Sequence, residues 1–511
     1  MKNTGIQSYI KSYFGLFAGL FVFVSLIFFY EIDPKNPQLT NMLAVALLMA
    51  IWWITEAIPL AATALLPVAL FPLLGIMGGK EVSSTYFNQV IFLFIGGFLV
   101  AIAMEKWNLH KRIALITLMI TGLSPARILL GFMLATAILS MWISNTATTM
   151  MMVPILISII QKIEENTDQK TIQKYSLGLL LGVAYSASIG GIATLVGTPP
   201  NLSFARIFQI MFPAAPEISF ALWFAFAFPL AVVLFGIAWL YLYLIYKPEK
   251  GKWVIADKST FRKQYKALQS PSFEEKAIFV VFISMAVLWM LRADISFGAF
   301  TIKGWSSIFS FPEKIDDGTV AIALALILFM IPSKQSKGEM IMNWEAASRL
   351  PWHIVLLFGG GFALASGFKE SGLSLWAGSQ LDWVGNLHPI LIILLISVII
   401  TFLTELTSNT ATTEMILPIM AGLSISTGIN PLLLMIPATI GASMAFMLPV
   451  ATPPNAIIFG TNRITVMEMA KSGLALNIIA AIVITIATFY WGSYVFNIDL
   501  GSLPEWASLH K

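Results

Sequence analysis

Uncharged runs of 12 to 27 residues recur along the sequence, the longer ones near or above the roughly 20 residues a helix needs to cross a hydrocarbon core of about 30 Å. They include 15–30, 220–246, 277–291, 320–331 and 474–491. Hydrophobic residues make up 58% of the 511 and charged residues only 11%, whereas a soluble globular domain carries about a quarter charged. The chain is therefore expected to be an all-α polytopic membrane protein, built from spanning helices.

The run at 15–30 is followed by no small-residue cleavage pattern, so it reads as a retained anchor rather than a secretory signal. The lack of cysteine excludes disulfides, thiolate metal sites and cysteine nucleophiles. The net charge of +4 says nothing about nucleic acid, because Lys and Arg lie in loops. They cluster at Lys2 and Lys11, at Lys106, Lys111, Arg112 and Arg127, through 247–276, and at Lys334, Lys337 and Arg349. The positive-inside rule puts these in the cytoplasm. Segments 31–40, 78–89 and 293–317, and the tail with Asp499 and Glu505, then fall outside. The pattern fits about eleven spans in a cell membrane, with the N-terminus cytoplasmic and the C-terminus external.

Two halves repeat. "FIGGF" at 94–98 answers "FGGGF" at 358–362, and "SNTATT" at 144–149 answers "SNTATT" at 408–413, both offset by 264. "GTPPN" at 197–201 answers "ATPPN" at 451–455, offset by 254, so the order is kept while one connection shortens. The expected organisation is a first half at 1–246, a cytoplasmic connector containing a surface helix at 247–276, and a second half at 277–511. The first SNT segment, at 127–160, is flanked by cytoplasmic charge and reads as a re-entrant hairpin. The second, at 389–422, enters from outside on the same count. The repeats are thus expected to be inverted, the arrangement of secondary transporters.

Non-helical backbone at mid-membrane depth is tolerated only where protein or a water-filled cavity satisfies it. At a hairpin tip, Ser-Asn-Thr supplies hydroxyl, amide and carbonyl oxygens suited to a hard cation, and it opens a half-helix whose positive end faces an anion. The Pro pairs break a second helix in each half, at 197–201 and 451–455. They release the carbonyls of Gly197 and Ala451 and present the hydroxyls of Thr198 and Thr452. Ser140 and Thr404 stand four residues before Ser144 and Ser408 and share a helix face with them. Neither tip carries Lys or Arg, so an anion would meet Asn145, Thr146, Asn409 and Thr410, with positive charge supplied by co-bound cations. That coupling is a physical basis for symport.

Other polar residues read as structural. Glycine in the GGF motifs permits close helix packing. Glu405 and Glu414 match Met141 and Met150 of the first half; they are read as members of an ion pair or as satisfied acids. Glu56 reads as a helix-end residue, and His353, Trp352, Trp52 and Trp53 as interfacial. None of the four histidines lies in an SNT or TPPN segment, which argues against an intramembrane hydrolase.

With "WWITEAIPLAATALLP", both SNT tips and both TPPN segments, the chain resembles the divalent anion/sodium symporter family, the group of sodium–dicarboxylate and citrate cotransporters. The resemblance covers nearly the whole chain. It implies a homodimer in which a transport domain moves like an elevator against a scaffold, and Na+-driven uptake of succinate, malate or fumarate. Carried over by position, one sodium site would use Ser140, Ser144, Asn145 and the Gly197 carbonyl. The other would use Thr404, Ser408, Asn409 and the Ala451 carbonyl. Substrate carboxylates would meet Asn145, Thr146, Asn409 and Thr410, with Thr198, Pro199, Thr452 and Pro453 nearby. The alternative on the same fold is an anion exchanger, or a proton-coupled carrier using Glu405 or Glu56.

Overall fold

The computed structural model describes residues 3–164, 169–248, 259–296 and 301–508. Among these, regular structure is helical except for a two-residue antiparallel pairing of Ile295–Ser296 with Thr301–Ile302. Six helices are long and apolar enough to cross a membrane: Pro37–Thr55, Gly79–Lys106, Asn145–Glu164, Phe220–Tyr246, Trp352–Ser371 and Val466–Val495. Six more apolar helices have 10–17 residues. The two that lead into the SNT segments, Pro125–Ser140 and Pro389–Leu403, are in this shorter class. Each starts with Pro at its first turn, where the missing N–H has no intrahelical partner to lose.

Apolar side chains face outward as well as inward. The helix Asn3–Phe29 displays Phe14, Phe17 and Phe21 at 65–73% exposure, a surface that suits lipid and not water. Its Gly15 and Gly19 lie against Thr55 and Trp52 of Pro37–Thr55, so close that a β-carbon at either would collide. Trp52 and Trp53, expected at the interface, are instead buried within protein at 7% and 1% exposure. Their indole N–H groups donate to the carbonyls of Leu16 and Leu60. The tightly apposed first helix covers Trp52, while Trp53 turns back onto Leu60. Glu56 caps the end of Pro37–Thr55 in the left-handed conformation, as expected of a helix-end residue.

The two halves contact each other reciprocally. Phe94 and Phe358, matching residues of the GGF motifs, meet edge to face with centroids 5.2 Å apart. Gly96 of the first half lies against the backbone of Ala321, and Gly360 of the second against the backbone of Ala64. The helix after the first Pro pair, Pro199–Met211, packs on the helix after the second SNT, Asn409–Thr427. In return Pro453–Phe459 packs on Asn145–Glu164. The contacts between the halves are thus reciprocal: each half offers a GGF-motif glycine and a resumed helix to the other.

Part of the connector, residues 249–258, lies outside the described residues. The remainder includes the helix Ser259–Ala267. Its Phe261 is buried, with its ring 6.3 Å from that of Phe132, while Arg262 and Lys263 face outward.

Candidate functional site

Each SNT segment is a turn between two helices. In the first, Pro125–Ser140 ends, residues 141–144 turn, and Asn145–Glu164 begins. Ser144 caps the new helix: its hydroxyl accepts the Ala147 amide and its carbonyl the Thr148 amide. In the second, Pro389–Leu403 ends and Asn409–Thr427 begins behind Ser408, whose side chain makes no cap. The opening amides of both helices have no intrahelical partner and point their positive end at the turn.

The same hydrogen-bond triangle forms in both tips. Ser140 Oγ donates to Asn145 Oδ1 at 2.5 Å and lies 2.8 Å from the carbonyl of Ala187. Thr404 Oγ1 donates to Asn409 Oδ1 at 2.8 Å and lies 2.7 Å from the carbonyl of Ala442. Ser140 and Thr404 are fully buried, while Ser144, Asn145, Ser408 and Asn409 are half-buried. Thr149 and Thr413 each return a hydroxyl to the Asn carbonyl one turn back, at 2.8 Å in both halves. Two tips with matching donors, acceptors and burial are the strongest internal sign that the repeat preserves a site and not only a fold.

The Pro pairs do break helices. Gln169–Gly191 stops, residues 192–198 run without regular helix, and Pro199–Met211 resumes; Pro431–Gly441 and Pro453–Phe459 flank the longer break at 442–452. The side chain of the Asn that ends each motif organises its break. Asn201 Nδ2 reaches the carbonyls of Gly191, Ile192 and Thr194; Asn455 Nδ2 reaches those of Ala445 and Leu448. Both Asn are buried, and the Oδ1 atom of each has no partner. The sequence assigns this Asn no role; its repetition at the end of both Pro-Pro motifs, four residues after Gly197 and Ala451, was the available signal.

Glycine brings the first break against the first tip. A β-carbon on Gly191 would lie 2.6 Å from Asn145 Oδ1 and 3.2 Å from the Gly197 carbonyl oxygen. Gly197 itself sits against the carbonyls of Gly191 and Met141. Ser140, Asn145 and Gly197 are therefore brought together around Gly191. In the second half, Thr404 and Asn409 are tied to the start of the break at Ala442, with Ala451 at its other end. Thr198 and Thr452 are buried at the starts of the resumed helices, Pro199 is half-buried and Pro453 exposed. Thr146 is half-buried beside Asn145, and Thr410 is buried beside Asn409.

The turn and the break are joined differently in the two halves. In the first, Thr194 Oγ1 donates to the Met141 carbonyl and accepts the Gly197 amide. In the second, Glu405, which matches Met141, receives the amides of Phe446, Met447 and Leu448 and the Asn477 side chain at 2.7–2.9 Å. Glu405 is thus a satisfied acid that clamps irregular backbone. Glu414 has no such set: Ser203 Oγ donates to one oxygen at 3.1 Å, and the other has no partner. The expectation of a paired or satisfied acid fails for Glu414.

A family described as the sodium:sulfate symporter transmembrane region matches residues 10–498. The chain belongs to this family. Sodium-dependent dicarboxylate transporters named SdcS are similar to it throughout. The one from Staphylococcus saprophyticus is 42% identical, and one from Staphylococcus aureus 44%, each match spanning 95% of this chain and 92% of the relative. The YdaH transporter of Alcanivorax borkumensis shares the fold at a TM-score of 0.55 and 13% identity, over 88% of this chain and 98% of that one. Membership joins the paired tips to a family of membrane symporters, the class that the duplicated, uncharged, oxygen-rich turns pointed to.

Proposed function

We propose that the chain is a secondary active transporter that couples Na+ to the movement of C4 dicarboxylates of the succinate, malate and fumarate class across the cell membrane. The observation that carries this reading is the duplicated triangle of buried hydroxyl, half-buried Asn and a carbonyl at the end of the helix before the break, at Ser140–Asn145–Ala187 and Thr404–Asn409–Ala442. Relatives named as sodium-dependent dicarboxylate transporters, alike over 95% of the chain, support the choice of ion and substrate.

On this reading one sodium ion is held by Ser140, Ser144, Asn145 and the Gly197 carbonyl, and another by Thr404, Ser408, Asn409 and the Ala451 carbonyl. The substrate carboxylates meet Asn145, Thr146, Asn409 and Thr410, with Thr198-Pro199 and Thr452-Pro453 lining the approach. Because neither tip has a cationic side chain, sodium and helix ends supply the positive potential, so each ion raises the affinity for the other.

The halves 1–246 and 277–511 lie in opposite senses in the bilayer, joined by a cytoplasmic 247–276, and the protein works as a homodimer with an elevator-like transport domain. The N-terminus is cytoplasmic and the C-terminus external. Uptake of labelled succinate into proteoliposomes tests the reading: a Na+ gradient drives accumulation that a K+ gradient does not. Accumulation indifferent to Na+ would instead favour an exchanger.

A further inference from the structure

We propose that Glu414 is a proton-binding site, separate from the sodium and dicarboxylate positions, whose proton leaves and returns as the second tip helix moves off the helix Trp352–Ser371. The inference rests on the transporter reading for its motion, and on local geometry for its chemistry. Glu414 lies just over one turn past the second tip and is completely buried. Its Oε1 accepts from Ser203 Oγ of Pro199–Met211, and its Oε2 has no partner. The carboxyl group rests on Gly361, where a β-carbon would fall 2.2 Å from Glu414 Cδ and 2.5 Å from Oε2. Three helices therefore close on one acid, and the glycine of the FGGGF motif makes room for it.

No ion pair joins Glu414 among the described residues. The surrounding elements offer it no cation. On Pro199–Met211, Arg206 is turned to Gln209; on Trp352–Ser371, His353 is exposed at the start, and Lys369 is bound to the Ile210 carbonyl with Glu370 adjoining it near the far end. Tyr86 is within electrostatic reach, with its hydroxyl donating to the Ala64 carbonyl. The helices Pro37–Thr55, Leu373–Ser379 and Pro431–Gly441, which also pack on the tip helix, carry no titratable side chain. The segment Asp382–Asn386 brings Asp382 to the other end, where Gly385 meets Thr427.

A buried carboxylate without a cation is costly, and an acid inside a membrane protein is a functional suspect by default. A metal ion needs several oxygens around it, whereas here one hydroxyl approaches and a helix backbone fills the adjoining space. A proton on Oε2 needs no further ligand. When the tip helix leaves Gly361, water reaches Oε2, the O–H bond breaks, the proton passes to water and the electron pair stays on the carboxylate. Docking reverses the step, so it takes up a proton. The first repeat lacks the device: the matching Met150 is 60% exposed.

Two measurements on the reconstituted full chain test this. Infrared spectra in Na+-free buffer at neutral pH should contain the carbonyl stretch of a protonated acid that disappears in Glu414→Gln. Na+-driven succinate uptake should fall at alkaline pH in the wild type and lose that pH dependence in Glu414→Gln. Glu414→Met, the residue of the first repeat, should give both results if the Gln variant folds poorly. Superimposable spectra, a variant with the wild-type pH profile, or a band displaced by Na+ at constant pH overturns the proposal. Absence of Na+-driven uptake in the wild type would overturn the transporter reading instead, because the infrared measurement requires no transport.

Discussion

Two amide side chains are held in matching positions at the tips. Asn145 and Asn409 each turn Oδ1 toward a buried hydroxyl, so the carbonyl oxygen is fixed in place before any ion arrives. Replacing either by Ala removes a proposed sodium ligand. The expected outcome is a higher Na+ concentration for half-maximal uptake and loss of most transport, measured in proteoliposomes with the protein still folded; wild-type uptake in either variant would take that residue out of the site. Glu405 acts differently. Three backbone amides and one side-chain amide depend on it, and each buried donor left unsatisfied costs about 1–3 kcal/mol. Glu405→Ala should lower the unfolding temperature sharply, whereas Glu405→Gln, which keeps an acceptor, should lower it less. Thermal denaturation in detergent separates the two.

At the scale of helices, close approach is set by glycine. Gly360 touches the backbone of Ala64, and a β-carbon there would lie 2.5 Å from a carbonyl oxygen. Backbone cannot yield as a side-chain end can, so Gly360→Ala should destabilise the protein by about 1–3 kcal/mol. Gly191→Ala meets first the side-chain amide of Asn145, at 2.6 Å, with the backbone oxygen of Gly197 farther off at 3.2 Å. It should impair Na+-dependent uptake more than thermal stability, because the displaced group is a proposed ligand. Uptake and melting curves of the two variants, compared side by side, check this contrast.

For the whole molecule, the tests concern how the halves are held and which way they face. Arg112 is buried in the first half, and its guanidinium grips Glu275 and the carbonyls of Leu268 and Gln269 beyond the connector helix. Removing one member of such a pair leaves a buried charge, and Arg112→Ala should cost about 3–5 kcal/mol of stability. Orientation can be read with single cysteines, since the chain has none. Ser124→Cys and Ser270→Cys should react with an impermeant maleimide only from the cytoplasmic side, Asn386→Cys and Ser502→Cys only from outside. All four positions are exposed. Reaction of Ser124→Cys and Asn386→Cys from the same side would dismiss the inverted arrangement of the hairpins.

The sequence by itself determined a helical membrane protein, because a bilayer leaves long uncharged runs no other way to satisfy their amides. It also determined the two tips and two breaks, because Ser-Asn-Thr and Pro pairs are local chemistry repeated at nearly constant spacing. Only the tertiary structure decided which residues serve those elements from a distance: Ala187 and Ala442 as carbonyl partners, Asn201 and Asn455 as organisers of the breaks, Thr194 and Glu405 as the links. Glu405 and Glu414 look equivalent along the chain, nine residues apart around one tip. One is surrounded by donors and the other is pressed onto Gly361 with an oxygen unpartnered. That difference arises from which helices close around each carboxylate, and long-range packing of this kind leaves no local pattern in a sequence.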